Sequence, residues 1–309
     1  MASLAVVILT HNEIQHIERA LASVSGIASE IFVIDSGSTD GTLETATALG
    51  ARVLSNGWVN HAVQFQWGLD NAPITADWVM RLDADEVVEP ALAAEIAQRL
   101  DGLTADVTGV NLKRKHIFMG RWIRHGGRYP LILLRIWRRG KARVEQRWMD
   151  EHILLIEGRA ITFDGDFADD NLNDLTFFTA KHNHYATREA VDVLNRRLRL
   201  FAGDEAHGAA PEQAMRKRAV KEGIYSRLPF GVGPLAYFLY RYIWQRGFLD
   251  GKEGAIYHGL QGLWYRFLVE ARLLELDRAL SAVEGREAKL ALLGRLTGLK
   301  LPGPIEPAA

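Results

Sequence analysis

Three carboxylates stand close together in residues 81–86, which read Arg-Leu-Asp-Ala-Asp-Glu. They follow residues 77–80, which are typical of a strand that enters a buried sheet. Carboxylates this close repel one another and raise each other's pKa unless a cation lies among them. Their oxygen ligands suit Mg²⁺ or Mn²⁺, which commonly bridge to substrate phosphates. Asp83 and Asp85 are therefore candidate ligands of a metal–diphosphate site; alternatively, the loop only caps a helix that begins at Pro90.

Strands and helices alternate in the residues before this loop. The predicted order is strand 4–9, helix 13–25, strand 30–35, a helix that opens at 40–42, strand 51–55, helix 62–71 and strand 77–82. Such an alternation predicts an α/β fold with a mostly parallel sheet and helices on both faces. Open sheets of this kind bind ligands at the carboxyl ends of their strands, where the acidic loop lies.

The pattern is less regular after residue 100. A strand is predicted over 106–116, irregular strands and loops over 121–147, and helices over 171–203 and 213–223. Residues 235–244 are strongly aromatic, and residues 255–276 place apolar side chains on one stripe of a long helix. We therefore expect a C-terminal helical, partly amphipathic extension of the α/β sheet.

Composition limits the classes of protein to consider. The chain has 309 residues, 48% of them hydrophobic, and no cysteine. Disulfides and thiolate metal sites are therefore excluded, and a reducing compartment is favoured. No signal peptide is recognisable, and no apolar run reaches the roughly 20 residues that span a bilayer. We expect a cytoplasmic protein without a transmembrane helix.

The net charge of −1 conceals a strong asymmetry along the chain. Residues 1–110 carry a charge of −11, residues 111–160 carry +9 and the remainder carries +1. An acidic part that can hold a metal is thus followed by a basic part that can meet anionic groups. Phosphorylated lipid, glycolipid and nucleic acid all fit this charge. Because the basic residues lack a base-reading helix or an RNA-binding motif, no nucleic-acid partner is expected.

Four segments, in this order and spacing, resemble the family 2 inverting glycosyltransferases, which have the GT-A fold. The segments are residues 9–13 (Leu-Thr-His-Asn-Glu), 34–42 (Ile-Asp-Ser-Gly-Ser-Thr-Asp-Gly-Thr), 64–69 (Gln-Phe-Gln-Trp-Gly-Leu) and 83–85 (Asp-Ala-Asp). The first two stand where the family has turns after its first and second strands. The last is similar to the family's metal motif.

Two later segments, residues 118–127 and 247–254, resemble a narrower branch of that family. The branch contains lipopolysaccharide-core glucosyltransferases and related surface-polysaccharide enzymes. The resemblance implies a nucleotide-sugar-binding half over 1–110, an acceptor-side half over 111–205 and a C-terminal helical region over 206–309.

The resemblance also implies which residues bind the donor. Thr10, His11 and Glu13 are expected to line a crevice for the nucleotide, with His11 stacked against the base. Asp35 is expected to accept a hydrogen bond from the base or the ribose. Gln64 is assigned to the donor site because it lies on a helix that usually carries a basic residue near the donor phosphates.

The resemblance further places the metal at Asp85, with Asp83 holding the ribose or the metal's waters. A divalent Mn²⁺ or Mg²⁺ would stabilise the leaving diphosphate as a Lewis acid. Two positions depart from the family pattern: Ser36 replaces a second Asp, and Phe65 replaces the basic residue near the phosphates. We expect a later arginine to replace that phosphate partner. The candidates are Arg121, Arg124 and Arg128.

An inverting displacement needs a carboxylate that removes the acceptor's hydroxyl proton as the diphosphate leaves. Residues 148–152 (Trp-Met-Asp-Glu-His) offer two carboxylates after a basic run. The resemblance favours Glu151 as the base, with Asp150 second; alternatively, both acids only pair with neighbouring arginines. A metal role for His182 and His184 is less favoured, because a two-residue spacing on a helix points the side chains apart.

Residues 228–276 have two interpretations. They form either a core helical hairpin packed on the sheet or a monotopic element at a membrane surface. The basic segment and the resemblance favour peripheral contact with anionic lipid on the inner face of the cytoplasmic membrane. The aromatic residues expected at headgroup level are Trp244, Tyr237, Tyr240 and Tyr242, and the basic residues expected near the lipid are Arg241, Arg246, Lys217 and Arg218.

The sequence thus predicts a metal-dependent inverting glycosyltransferase. Its donor is expected to be a nucleotide-diphosphate sugar, with UDP favoured. The resemblance implies that its acceptor is a glycan or glycolipid of the bacterial envelope. A sugar-phosphate nucleotidyltransferase would carry a Gly-rich, basic phosphate loop after strand one, and residues 10–13 have neither feature. A non-catalytic scaffold that binds a nucleotide-sugar or a glycan is the other alternative, although Asp83, Asp85 and Glu151 are all present.

Overall fold

A nine-stranded sheet organises the described part of the chain, which in this computed structural model is residues 2–145, 151–201 and 229–303. A separate two-stranded hairpin lies beside it. In chain order the strands are β1 (Leu4–Thr10), β2 (Glu30–Asp35), β3 (Arg52–Ser55), β4 (Trp78–Asp83), β5 (Glu86–Val88), β6 (Val107–Phe118), β7 (Arg121–Trp122), β8 (Leu131–Arg138), β9 (Ala142–Val144), β10 (Ile153–Leu155) and β11 (Arg159–Asp170).

The helices cover the sheet and form the C-terminal region. They are α1 (Ile17–Val24), α2 (Thr42–Ala48), α3 (His61–Asn71), α4 (Pro90–Arg99), α5 (Leu175–Leu198), α6 (Val232–Leu239), α7 (Gly251–Tyr257), α8 (Tyr265–Ser281) and α9 (Arg286–Thr297). π-Helical turns over Tyr240–Trp244 and His258–Trp264 and a 3₁₀ turn over Gly247–Asp250 join the later helices. Within the described ranges, no helix is both long enough and apolar enough to cross a bilayer.

The strand order is β3-β2-β1-β4-β8-β6-β11-β5, with β7 paired to β6. β1 to β4 run parallel to one another, and β6 runs parallel to β11. β8 runs antiparallel between β4 and β6, and β5 antiparallel to β11. The predicted α/β class, a mostly parallel GT-A sheet with flanking helices and a C-terminal helical region, is confirmed.

Alternate residues of β1 show how the sheet is buried. Val6 and Ile8 pack in a core with apolar residues of α1 and α4, whereas Ala5 and Val7 pack in a second core with α3. All four side chains are fully buried. Because successive side chains of a strand point to opposite faces, a continuous apolar run is what a strand covered on both faces requires.

Two regions differ from the prediction in a way that matters for the site. Residues 131–138 form β8, one continuous strand at the centre of the sheet, although its register against β6 shifts between Val110 and Asn111. In the C-terminal region, the buried face of α8 is formed by Tyr265, Val269 and Leu276, while Phe267 and Leu274 of the predicted apolar stripe are exposed. The π-helical turn before α8 shifts the helical register and so rotates the stripe.

Candidate active site

The loop after β2 is organised around one buried carboxylate. Asp35 accepts hydrogen bonds from Thr10 Oγ1 at 2.9 Å, Gly37 N at 2.7 Å and Ser38 N at 2.9 Å. Burial raises the pKa of Asp35, but these hydrogen bonds outweigh burial and leave the pKa below its usual value. Gly37 has a φ of 98°, a conformation that glycine adopts without strain. Thr10 and Asp35 thus fix the backbone of the predicted nucleotide crevice.

Helix α3 packs next to this crevice and binds the residue that follows β3. Gln64 is buried; its Oε1 accepts a hydrogen bond from Asn56 Nδ2 at 2.9 Å, and its Nε2 donates to Asn56 O at 3.2 Å. Phe65 is fully buried, and the guanidinium of Arg81 lies 5.1 Å from its ring centroid. An arginine of β4 therefore lies beside the position where the family pattern has a basic residue.

The turn after β1 is connected to residues far along the chain. His11 is exposed, while Glu13 is half-buried and its Oε2 lies 2.6 Å from Nδ1 of the buried His16. The backbone N–H of Leu172 donates to Nε2 of His16 at 2.9 Å. Because Nε2 accepts, the ring proton belongs on Nδ1 and is donated to Glu13. The imidazole thus joins the β1 turn to the segment that follows β11.

Asp83 ends β4 between two arginines. Its Oδ1 lies 3.2 Å from Arg81 Nε, and its Oδ2 lies 3.3 Å from Arg135 Nη2. Arg135 also donates to the buried Glu86 at 2.5 Å, and Glu86 in turn accepts from the Asp83 N–H at 2.9 Å. Burial raises the pKa of Asp83, but both guanidinium groups outweigh it and hold that pKa well below its usual range. Burial raises the pKa of Glu86 to about 8.

Asp85 has a different electrostatic environment. Its Oδ2 accepts a hydrogen bond from Asn171 Nδ2 at 2.8 Å. Burial and repulsion from Asp169 raise the pKa of Asp85, although Lys181 of α5 opposes that shift. Burial lowers the pKa of Lys181, but Tyr185 and Asp85 outweigh burial and raise it above its ordinary value. A carboxylate with raised pKa beside another carboxylate is a place that a cation would stabilise.

Glu151 is connected to Asp83 by Arg81, which contacts both carboxylates. Its Oε1 is 3.1 Å from Arg81 Nη2, and its side chain is 11% exposed. Asp150, the second candidate base, lies outside the described residues. Arg81, which the sequence analysis did not single out, therefore binds the candidate metal ligand with one nitrogen and the candidate base with another.

One cavity of about 2190 Å³ brings these groups together. Glu13, Asp83, Asp85 and Glu151 line it, whereas His11, which is exposed, and the buried Thr10, Asp35 and Gln64 do not. Further lining residues that the sequence did not single out as site residues are His61, Arg81, Arg114, Arg135 and Lys181.

The three arginines proposed as phosphate partners lie in different places. Arg128 lines the cavity. Arg121 is exposed near Glu253, with 3.9 Å between charged atoms, and Arg124 lies over the ring of Trp122 at 5.2 Å. Only Arg128 of the three therefore reaches the candidate site. Further cations close to the acidic residues are Lys181, Arg81, Arg114 and Arg135.

His182 and His184 point in different directions, as their spacing predicts. His182 Nδ1 lies 2.8 Å from the carbonyl oxygen of Phe178, and the ring stacks 3.9 Å from that of Phe178. His184 is exposed. Within the described ranges, no cluster of three or more His, Cys, Asp or Glu side chains is arranged to hold a metal by itself.

Comparison with known proteins finds relatives that share part of this chain. A protein of Rickettsia bellii described as an uncharacterized glycosyltransferase is 40% identical over 89 residues, which are 29% of this chain and 30% of that protein. A lipopolysaccharide core biosynthesis glycosyltransferase of Rhizobium meliloti, LpsC, is 28% identical over 147 residues, which are 46% of this chain and 53% of LpsC. The matches thus span about a third to a half of these relatives.

Among solved structures, a similar chain is glucosyl-3-phosphoglycerate synthase from Mycobacterium tuberculosis, in complex with Mn²⁺, uridine diphosphate and glucosyl-3-phosphoglycerate. The sequence identity is 26% and the TM-score 0.31, and the match covers 37% of this chain and 44% of that one. The family model described as Glycosyl transferase family 2 matches residues 5–166, just over half of the chain. The matched range contains the β1 and β2 loops, the Asp83–Asp85 motif and Glu151. The chain belongs to glycosyl transferase family 2.

Proposed function

We propose that this chain is a metal-dependent inverting glycosyltransferase that uses a nucleotide-diphosphate sugar, with UDP-sugars as the first donors to test. One observation carries the proposal. Asp83 and Glu151 contact the same guanidinium, that of Arg81, and both line one cavity with Asp85. The side chain of Arg81 thus lies between the candidate diphosphate site and the candidate base and contacts both.

Glu151 is the base in this proposal. As the acceptor oxygen bonds to the anomeric carbon, the bond from that carbon to the diphosphate breaks and the hydroxyl proton passes to Glu151. Arg81 holds the carboxylate through its Nη2 at 3.1 Å and so restricts its orientation. Because the side chain is 11% exposed, little water competes with the acceptor hydroxyl for that carboxylate.

Asp85 and Asp83 are the residues that would hold a divalent Mn²⁺ or Mg²⁺. The fit rests on the raised pKa of Asp85, which burial and the nearby Asp169 produce and which a bound cation would reverse. Mg²⁺ is commonly held by one or two carboxylates together with substrate phosphates. When bound, the metal would offset the charge of the leaving diphosphate. Lys181 is near the same carboxylates and can contribute positive charge to that end of the cavity.

We propose a glycan or glycolipid of the cell envelope as the acceptor. Two findings support this class: the described function of LpsC, to which this chain is similar, and the charge of +9 on residues 111–160. Negatively charged sugars and lipid headgroups would be attracted to that basic segment.

We further propose peripheral contact with the inner face of the cytoplasmic membrane. An apolar surface supports it, with Trp244 at 80% exposure. Of the basic residues expected near lipid, Arg246 is exposed, Arg241 is only 4% exposed and too buried to reach a headgroup, and Lys217 and Arg218 lie outside the described residues. Tyr240 is exposed, and Tyr237 and Tyr242 are half-buried. The other members of this surface are Val232, Leu235, Leu239, Ile243, Phe248 and Leu249.

Calorimetric titration tests the donor part of this proposal. UDP, GDP, dTDP and CDP are each titrated into the protein with Mn²⁺ and with EDTA, and the titrations are repeated with Asp85→Asn. We expect one nucleotide to bind only with metal, and binding to weaken by about tenfold or more in the variant, since one ligand to the cation is lost. Asp106→Asn, an exposed carboxylate near β6, is the matched control. If folded protein binds none of the four nucleotides, the non-catalytic scaffold becomes the better explanation.

A further inference from the structure

The cavity continues from the acidic residues to an arginine-rich end formed by the C-terminal region. Arg241 and Arg128 line this end, together with Tyr237 and Gln261. Neither arginine lies within residues 10–85, which contain the proposed donor and metal residues. This end of the cavity is therefore available for a different part of the bound substrates.

Arg241 is buried with one nitrogen unused. Its side chain is 4% exposed; Nε donates to Gly126 O at 2.6 Å, and Nη1 lies 3.3 Å from Tyr237 OH and 3.2 Å from Gln261 Oε1. Nη2 is buried and has no hydrogen-bond partner among residues 2–145, 151–201 and 229–303. On burial, this guanidinium loses its hydrogen bonds to water, and the protein's hydrogen bonds replace only some of them.

Arg128 is close enough to Arg241 for the two charges to repel, and it too forms no ion pair with a described carboxylate. Its guanidinium is 5.2 Å from the ring centroid of Tyr257, and its Nε is buried without a hydrogen-bond partner in the described part of the chain. Burial lowers the pKa of Arg128, and repulsion from Arg241 and Arg114 lowers it further. In the described chain, neither Arg128 nor Arg241 has a carboxylate oxygen within 4.0 Å.

The carboxylates nearby are already engaged. Asp169, whose charge acts on Arg128, binds Arg114 at 3.3 Å and His116 at 3.1 Å. Glu189 binds Arg266 at 2.9 Å and the hydroxyl of Tyr265 at 2.6 Å. Glu270 accepts a hydrogen bond from the backbone N–H of Gly231 at 2.7 Å. Among the described residues, the two guanidinium groups at this end of the cavity are thus left without an ion-pair partner.

We propose that Arg128 and Arg241 form a subsite for a phosphate group carried by the acceptor. Guanidinium groups bind phosphate oxygens through paired N–H groups, and two uncompensated positive charges match a phosphate dianion better than a single carboxylate. The hydroxyl of Tyr237 and the amide of Gln261 hold Arg241 in place. The subsite and Glu151 open into the same cavity, so an acceptor anchored at one can present a hydroxyl to the other. This inference rests on the proposed glycosyltransferase function for the identity of the acceptor.

Isothermal titration of inorganic phosphate into the whole protein tests the subsite. The titration is made with EDTA, and again with Mg²⁺ and a saturating amount of the nucleoside diphosphate found to bind. We expect phosphate to bind in both conditions, because the donor residues and the arginine subsite are on different elements. Acetate, titrated in parallel, should bind more weakly than phosphate.

Variants assign the binding to the two arginines. Arg128→Gln and Arg241→Lys should each weaken phosphate binding by about tenfold or more, and nucleotide binding should not change in Arg241→Lys. Arg295→Gln, an exposed arginine in the last turn of α9, is the control and should leave phosphate binding as it is. Because Arg241 also holds the backbone at Gly126, its variant needs a thermal unfolding check, and Arg128→Gln carries the test if that variant is unfolded.

Three results would overturn the subsite. They are the absence of phosphate binding at millimolar concentrations, complete displacement of phosphate by the nucleotide, and unchanged phosphate affinity in Arg128→Gln. If acetate bound more tightly than phosphate, the subsite would prefer a carboxylate, and the proposal of a phosphate subsite would be rejected. Nucleotide binding is measured separately, so failure of the subsite and failure of the proposed function give different results.

Discussion

Arg81 donates a hydrogen bond from Nη2 to Oε1 of Glu151 at 3.1 Å, although the two residues are 70 positions apart in the sequence. The contact fixes Glu151 to β4, the strand that ends in Asp83. The position of the proposed base is therefore set by the same strand that presents the proposed diphosphate site. A shift of β4 would move both groups together and preserve the spacing between them.

Replacing Glu151 by Gln should abolish sugar transfer. The amide keeps the size of the side chain but cannot accept the acceptor's proton, so the rate should fall by about 10²–10⁴-fold. Metal-dependent nucleotide binding should persist, because Asp83 and Asp85 are unchanged. Transfer is followed by nucleotide release from the donor, and Glu157→Gln, which changes an exposed carboxylate, is the matched control. Normal turnover in Glu151→Gln would remove this residue from the mechanism.

Gly68 should not tolerate a methyl group. A Cβ at this position of α3 would lie 2.7 Å from Ile34 Cγ1 of β2, so the helix would have to move away from the sheet. Overpacking of this kind costs about 1–3 kcal/mol, which exceeds the gain of up to about 1 kcal/mol from replacing glycine in a helix. We expect Gly68→Ala to lower the free energy of unfolding, measured by urea denaturation.

The matched control for Gly68 is Gly294 in α9. A Cβ there would meet its nearest neighbour, the carbonyl oxygen of Leu299, at 3.5 Å, an ordinary contact. Gly294→Ala should therefore raise the free energy of unfolding by about 0.5–1 kcal/mol. Equal effects of the two substitutions would show that α3 does not pack on β2 as closely as described.

His258 should make the fold sensitive to mild acid. Burial lowers the pKa of His258 to about 4, with a further contribution from Arg241, whereas an unfolded histidine has a pKa of about 6.5. Between these values the unfolded chain binds more protons than the folded chain. The free energy of unfolding is therefore unaffected by His258 above about pH 6.5. It falls as the pH decreases from there towards 4, by up to about 1.4 kcal/mol per pH unit.

Urea denaturation at several pH values measures this effect. In His258→Leu, the free energy of unfolding should depend less steeply on pH between 4 and 6.5 than in the unmodified chain. His184→Gln changes an exposed histidine and should leave the slope unaltered. If both variants keep the original slope, His258 does not titrate as its burial requires.

The apolar surface around Trp244 should be needed for membrane binding. Trp244 is 80% exposed and Ile243 is 55% exposed. Burying one large apolar side chain contributes about 1.5–3 kcal/mol, so replacing both by Asp should weaken binding to phosphatidylglycerol vesicles by about 100-fold or more. Co-sedimentation with vesicles measures this, and Ile156→Asp, at 62% exposure elsewhere, is the control. A native chain that ignores these vesicles would end the membrane proposal.

The first four strands could be predicted because local sequence determines them. Each is short and has an apolar centre, and β1, β2 and β3 are each followed by a turn and a helix, so the alternation itself indicates a parallel sheet. β8 could not be predicted in the same way. Its residues include Arg135, which is buried where Asp83 and Glu86 of other strands contact its guanidinium. Which strand inserts between β4 and β6 depends on those non-local pairs.

The candidate site could be predicted in part for the same reason. Arg81 and Asp83 are two residues apart on one strand, so a common face follows from the period of a strand and Arg81 could have been included. Lys181 and Arg241 could not. Their positions depend on how α5 packs and on a π-helical turn that buries Arg241 within a stretch that otherwise reads as lipid-facing.

The imidazole of His16 gives the hydrogen bonds around it a single direction. The backbone N–H of Leu172 donates to the ring, and the ring donates to Glu13. A neutral ring could reverse these two hydrogen bonds only if its proton moved from Nδ1 to Nε2. A ligand that recruits Glu13 takes away the acceptor at the end of that chain. The hydrogen bond from Leu172 to the ring would then change, just ahead of α5, the helix that carries Lys181. The hydrogen bonds of His16 therefore connect Glu13, which lines the cavity, to the backbone that precedes α5.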